Sequence, residues 1–410
     1  MKADIDRLMA ERGMDAIVVM IDEVYSPHVD FLAGRAHVHG GLLIKTWQAA
    51  PVFVVSNMEI EEAKATGLQA YSWDDFGYRD ALNANGGDTV AARVLLWGRC
   101  LAQFGVANGK IGVYGASKIE KILPLFDALR EAYPQYQFVG EGGTTLFDEA
   151  AFTKDEEELR RIASVAERTS EVVRATWDFI ASHRTTDDEI VVDRDGTPLT
   201  IGDVKRFVMR ELMDRGLEDT GMIFAQGRDG AFPHSRGTDE EALRLGETLV
   251  FDLFPRETGG GFHHDITRTW CIGYAPDEVR ETYQTVMEAF DLAHEMFAIG
   301  RPVREMQEAV MQYFEDRNHP TWRQNPSTQD GYTHSLGHGV GLEIHEGYNM
   351  THLNKSDVFA IGNVITIEPG LYYPEKGFGV RVEDTVYVAP DGQLLTLTDV
   401  PKDLVLPLRG

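Results

Sequence analysis

Asp252, Asp265, Glu368 and Glu383 each sit within or at the end of an apolar run, and with His338 they offer five side chains able to bind divalent cations. Hard carboxylate oxygens with a single imidazole suit Mn, Co, Fe or Zn, and a carboxylate can bridge two ions. Residues two apart in a strand share a face, so TLVFDLF places Asp252 beside Val250 and Phe254, facing a core. A carboxylate there is costly unless a cation compensates it. Asp265 opens the next apolar run after a glycine turn, Gly259 to Gly261, so a hairpin should bring the two aspartates together. Glu368 ends VITIE, where Pro369 and Gly370 stop the strand, and Glu383 lies in GVRVEDTVYV with Arg381 on the same face. Singly, each acid reads as a surface charge, a turn former or a salt-bridge partner. Four of them in strand runs, beside a histidine cluster, point to a metal site.

The histidine segment HSLGHGVGLEIHEG carries His334, His338 and His345. Its spacing invites comparison with the HExxH helix of zinc proteases. Position 335 is Ser where that helix needs a general-base Glu, and Gly337, Gly339 and Gly341 would each cost a helix about 1 kcal/mol. An extended glycine-rich strand or loop, bringing backbone close to a ligand, fits better. His263 and His264 read as solvent-exposed or turn histidines, with an extra ligand or substrate contact as the alternative. His334 reads either as a hydrogen-bonding support for the ligands or as simple packing.

These residues need elements to position them. The first part of the chain alternates an amphipathic helix, from about Asp4 to Arg12, with the strand AIVVM and further strands at GLLIK, APVFVV and IGVYG. That pattern predicts a layered α/β domain over residues 1–151. At Phe152 the character changes: Thr153 and Glu156 form a capping-box pattern ahead of a long apolar-periodic helix. Helices near Val204–Leu212, Val279–Ile299 and Val303–Phe314, beside strands at TLVFDLF, ITRTWCI, VITIEP and GVRVEDTVYV, predict an α+β domain over 152–410.

At 410 residues, about two domains is the default. The 66 acidic against 39 basic residues give a net charge of -27, which repels phosphate backbones and anionic membranes and makes nucleic acid a poor partner. Cys100 and Cys271 have no CxxC spacing and read as reduced, buried thiols. The charged start, MKADIDRLMAERG, is unlike a signal peptide, and no apolar run is long enough to span a membrane; the expectation is a cytoplasmic protein.

The blocks FPHS at His234, VFDLFPRETGGGFHHDITRT, HSLGHGVGLEIHE, ITIEPG and GVRVEDT occur in order over residues 232–386. Together they resemble the M24 metallopeptidases, the aminopeptidase P, prolidase and methionine aminopeptidase group with the pita-bread fold. The resemblance implies an N-terminal creatinase/prolidase-like α/β domain ahead of a pita-bread catalytic domain. It implies Asp252, Asp265, His338, Glu368 and Glu383 as ligands of two divalent ions, Mn foremost with Co, Zn or Fe as alternatives, and Asp265 and Glu383 in the bridging positions. His234 and His345 match substrate-binding and transition-state histidines, and Arg381 an arginine that orients a ligand carboxylate. Creatinase shares the fold but lacks this metal set. Two departures stand out. Asp252 and Asp265 are 13 positions apart, a hairpin about two residues longer than the family commonly builds, an insertion that costs little at a tip. Asn349 stands where typical prolidases carry an arginine that holds a dipeptide's carboxylate, which argues against strict dipeptidase activity.

The resemblance implies hydrolysis of the peptide bond before proline, removing the N-terminal residue. The two metals would make hydroxide from water at neutral pH, and Glu368 would shuttle the proton to the leaving nitrogen. Two rivals share the sequence: the same metal site acting on a small non-peptide substrate, as a lyase or C–N hydrolase, and a non-catalytic binding protein descended from the fold. The intact ligand set argues against the latter. A homodimer is expected because such relatives often form one.

Overall fold

Runs such as AIVVM are too short for a buried helix and rich in β-branched residues, and in the computed structural model they are strands. Residues 4–22, 25–347 and 349–410 are described, and the chain divides into two units, Met1–Ala150 and Ala151–Gly410. In the first, β1 (Ala16–Ile21), β2 (Gly41–Thr46), β3 (Val52–Val55), β4 (Gln69–Ser72), β5 (Gly109–Gly115) and β6 (Tyr136–Val139) form one mixed sheet in the order β4-β3-β2-β1-β5-β6. It runs parallel at β1/β5, β5/β6 and β3/β4 and antiparallel at β1/β2 and β2/β3. The helices are α1 (Ile5–Glu11), α2 (Pro27–Ala33), α3 (Ile60–Ala65), α4 (Tyr78–Ala84), α5 (Thr89–Gln103), α6 (Ile119–Ala132) and α7 (Leu146–Ala151). Ala16, Val18 and Ile44 from the sheet pack with Trp97, Leu101 and Leu125 from α5 and α6. Each such fully buried large side chain contributes about 1.5–3 kcal/mol.

The second unit begins with α8 (Glu156–Ala181). The capping box is there, but two residues beyond the Thr153/Glu156 pair: Asp155 accepts from the Glu157 and Glu158 amides, and the Glu158 side chain returns to the Asp155 amide. The sequence TKDEEE offers the same spacing twice, and the backbone of Lys154 is already engaged elsewhere, on the Gly362 carbonyl. After a small hairpin, β7 (Arg184–Thr185) and β8 (Val191–Val192), come α9 (Ile201–Asp214), β9 (Leu217–Glu218), β10 (Ile223–Gln226), β11 (Thr248–Leu253), β12 (Arg256–Glu257), β13 (Ile266–Ile272), α10 (Asp277–Met296) and α11 (Val303–Glu315). β14 (Val364–Ile367), β15 (Gly370–Tyr373), β16 (Phe378–Arg381), β17 (Glu383–Val388), β18 (Leu394–Thr396) and β19 (Val405–Leu406) complete it.

The main sheet follows β10-β11-β13-β17-β14, with β18 on β17 and β19 on β13. All its pairs are antiparallel except β13/β19. Strand alternation gives the sheet two buried faces. Leu249, Phe251 and Leu253 with Ile266, Trp270 and Ile272 pack with residues of α8 and α9, such as Val173 and Val208. Cys271 and Val386, of the opposite phase, join Val286, Phe290 and Met311 of α10 and α11. Cys100 and Cys271 are both free and buried, in different units. The run GVRVEDTVYV is not a single strand but breaks at Val382, so Arg381 ends β16, paired with β15, while Glu383 begins β17 of the main sheet. Among the described residues no helix is long and apolar enough to cross a membrane.

Candidate metal centre

The hairpin expected between the two aspartates is the β11/β13 pair, in which Asp252 faces Thr267 and Thr267 in turn faces Glu383 on β17. One row across three strands therefore reads Asp252, Thr267, Glu383. Asp265 lies two residues before Thr267 and so shares its face. The hairpin connection is folded rather than loose: Arg256 and Glu257 form β12 against β9, and Arg256 makes a backbone bridge to His263.

Asp252, Asp265 and Glu383 are buried, and among the described residues Asp252 Oδ1, Asp265 Oδ1 and Glu383 Oε1 have no hydrogen-bond partner. The remaining oxygens are fixed by neighbours. Arg381 Nη2 lies 2.6 Å from Asp252 Oδ2, and Thr267 Oγ1 donates to Glu383 Oε2 at 2.7 Å. Arg381 Nε donates to Thr267 Oγ1 at 3.1 Å, so one guanidinium braces two carboxylates across the break between β16 and β17. Burial, then the charges of Glu383, Asp252 and Glu368, pushes the Asp265 carboxyl well above the carboxylate range. Burial, then Glu368 and Asp252, does the same to Glu383. Burial lifts Glu368 to about 8. Burial alone would discourage the Arg381 charge, but Tyr372, Asp252, Glu368 and Glu383 outweigh it.

His338 closes the cluster. The glycine-rich segment is not helical; it bridges through Gly339 to Ile365 of β14, and the His338 amide donates to Thr366 Oγ1. His338 Nδ1 faces the Gly339 carbonyl at 3.1 Å, and Nε2 stands 3.5 Å from Asp265 Oδ2 and 3.4 Å from Glu368 Oε1. Burial, aided by His345, pushes this imidazole down to about 3, so it is neutral and those approaches are not ion pairs. With Nδ1 donating to a carbonyl, Nε2 presents a lone pair to the carboxylates. Asp265, His338 and Glu383 ligand atoms lie within 4.8 Å of one another. Bare carboxylate oxygens around a neutral imidazole nitrogen form a ligand set that suits a divalent cation, and among the described residues no protein donor reaches the three orphaned oxygens.

His234 and His345 lie at the exposed rim. The His345 ring meets His338 edge-on at 4.3 Å, and burial in that recess, then His234, lowers its pKa while Asp252 opposes the shift. Arg381 Nη1 also donates to the carbonyl of Pro233, next to His234. Asn349 is exposed and pairs by backbone with His338.

His263 and His264 are not solvent-exposed: they are 4% and 0% accessible. The folded hairpin covers them. His264 Nε2 contacts Thr398 Oγ1 at 3.1 Å, and burial pushes its pKa to about 3 and that of His263 to about 4. His334 is hydrogen-bonded behind the cluster, Nε2 to the Tyr372 hydroxyl at 2.9 Å, and Tyr372 accepts from Arg381 Nη1 at 2.9 Å. Thr267, Thr366 and Tyr372 are site residues beyond those expected from the sequence. Thr267 and Thr366 lie two residues from Asp265 and Glu368, so strand periodicity could have found them; Tyr372 carries no such signal.

Among curated proteins, the chain is 37% identical over 181 residues to an Xaa-Pro dipeptidase of Pyrococcus furiosus, covering 43% of this chain and 47% of that protein. It is 31% identical over 185 residues to the uncharacterized peptidase YqhT of Bacillus subtilis, covering 45% and 48%. In these matches the chain spans about half the length of the curated relatives. Among solved structures, the X-Pro aminopeptidase of Thermotoga maritima superposes with a TM-score of 0.75 at 21% identity, over 99% of both chains. The prolidase of Pyrococcus horikoshii gives 0.73 at 22%, over 98% of this chain and 99% of that one. The fold is thus the one expected, an α/β domain followed by an α+β domain of the pita-bread type. Residues 160–390, more than half of the chain, match the profile of Metallopeptidase family M24, and the chain belongs to that family.

Proposed function

We propose that this protein removes the N-terminal residue from peptides whose second residue is proline, using two divalent cations, with Mn the first choice and Co, Zn or Fe as alternatives. The observation that carries the reading is that Asp252, Asp265 and Glu383 each keep a buried carboxylate oxygen without a donor among the described residues, while Asp265 and Glu383 gather with His338 within 4.8 Å. Asp252, Asp265, His338, Glu368 and Glu383 would hold the ions, Asp265 and Glu383 being shared. Bound there, such ions would supply Lewis acidity and lower the pKa of water.

The chain's own groups divide the remaining work. Arg381 and Thr267 each fix one oxygen of Asp252 and Glu383 and leave the other free to bind. The Gly339 carbonyl sets the His338 tautomer. Glu368 would take a proton from the attacking water and pass it to the leaving nitrogen, and His234 and His345 would bind substrate and steady the developing oxyanion. Domains of residues 1–151 and 152–410, and assembly as a homodimer, belong to the same reading; light scattering tests the latter.

A second reading keeps the metals but assigns a small non-peptide substrate. It rests on the hairpin between Asp252 and Asp265, which carries two buried histidines just before Asp265, and on Asn349. A panel of Xaa-Pro dipeptides and longer Xaa-Pro peptides, with Mn(II), Co(II) and Zn(II), decides between them. Turnover of the longer peptides supports the first, and no turnover by metal-loaded protein defeats it.

A further inference from the structure

Glu346 follows His345 directly, and both of its oxygens are committed. Its Oε2 accepts from the Leu342 amide at 2.7 Å, and its own amide donates to the Gly339 carbonyl at 2.8 Å, which closes the segment 339–346 into a tight loop. Gly341 lies against this carboxylate, where a Cβ would overlap it. Oε1 lies 2.7 Å from Lys154 Nζ, an ion pair off the hydrogen-bond line. Lys154 Nζ also donates to the Ala151 carbonyl at 2.6 Å. The two side chains are 2% and 7% exposed.

A buried ion pair adds little net stability, because desolvating two charges consumes most of the Coulomb gain. Its use lies in geometry. Lys154 stands just ahead of the cap of α8, and its backbone amide is bonded to the Gly362 carbonyl, two residues before β14. The Asn363 amide side chain donates to the Phe152 carbonyl at 2.8 Å, so residues 152–154 are pinned at both ends to the segment ahead of β14. A charge anchored to that pinned stretch therefore holds the carboxylate that closes the His345 loop.

We propose that Lys154 and Glu346 form a clamp that sets the position of His345 against His338. Lys154 is a positioning residue in this scheme and touches no substrate. The inference rests on the proposed peptidase function for its effect on turnover, but not for its effect on the loop.

The test uses the metal-loaded full chain with K154M, K154R and E346Q, and reads two quantities. Hydrogen–deuterium exchange of the 339–347 peptide is expected to quicken in K154M and E346Q, with exchange in β11, β13 and β17 unchanged. On a Xaa-Pro peptide, kcat is expected to fall roughly 10- to 100-fold in both, with K154R restoring much of it. Mn(II) affinity should stay within about twofold, since the ligands are untouched. Should K154M not fold, the isosteric E346Q carries the same readout. Unchanged loop exchange in a folded variant overturns the clamp, as does a fall in kcat that K154R does not relieve. If the unmodified protein turns over no Xaa-Pro peptide, the function fails, and loop exchange still judges the clamp.

Discussion

Arg381 Nη2 and Asp252 Oδ2 are held 2.6 Å apart in a buried ion pair, and the same guanidinium reaches the Tyr372 hydroxyl and the Pro233 carbonyl. With Nε on Thr267, four contacts from one planar fork explain why lysine would not substitute: a compact ammonium cannot span them all. R381K should leave the protein folded but weaken divalent-ion binding about 10- to 100-fold, as loss of a group that orients a ligand commonly does. Calorimetric titration with Mn(II) measures this, and an affinity equal to that of the unmodified protein would remove Arg381 from the ligand-orienting role.

The carboxylates of Asp252, Asp265, Glu368 and Glu383 repel one another, and burial sharpens the repulsion. A cation that relieves it should stabilise the fold by mass action, about 2.7 kcal/mol at 100 times Kd. Chelator-stripped protein is therefore expected to show a lower Tm, recovered on adding Mn(II). In D265N the same addition should produce no rise, while its metal-free Tm equals or exceeds that of the unmodified chain. Metal content and turnover should both be lost. Full activity in a metal-free D265N protein would sink the ligand assignment.

Gly337 is packed so that an added Cβ would overlap the Thr366 carbonyl oxygen. Thr366 supports both the His338 amide and Glu368 Oε1, through Oγ1. G337A should thus act on both, costing about 1–3 kcal/mol through overpacking and reducing metal affinity together with kcat. Denaturant unfolding and Mn(II) titration check the pair of effects; a stable variant with native affinity would show that the segment yields without moving His338.

The strand that carries Asp252 and those that Asp265 and Glu368 flank were legible because a carboxylate in or beside a β-branched run breaks the apolar pattern visibly. The non-helical histidine segment was legible from its glycines. The break at Val382 was not, since GVRVEDTVYV alternates without a turn residue and only tertiary pairing divides it between two sheets. The burial of His263 and His264 was also hidden: a hairpin tip rich in glycine reads as exposed, and only β12 pairing with β9 folds it back. Tyr372 joins the network through the pairing of β15 with β16, in which Arg381 faces Gly370 two residues before Tyr372, and the sequence carries no signal that these two strands pair apart from the main sheet.

The N-terminal unit carries an acid-sensitive element of its own. His28 in α2 sits edge-on to Phe147 at 4.6 Å and near Tyr114 at 5.8 Å, its Nδ1 buried without a hydrogen-bond partner among the described residues. Burial pushes its pKa down to about 4, against a weaker opposing effect of Asp148. The folded-state pKa is below the unfolded value near 6.5, so the unfolded chain binds the extra proton first. The stabilising contribution is full above about pH 6.5 and is lost as pH falls through about 4, up to roughly 3 kcal/mol. H28F keeps a ring in the aromatic cluster and cannot titrate. The stability difference between H28F and the unmodified chain, measured by urea unfolding, is expected to shift in favour of H28F between pH 7.5 and pH 4.5. A difference independent of pH over that range would show that His28 does not contribute to the acid limb.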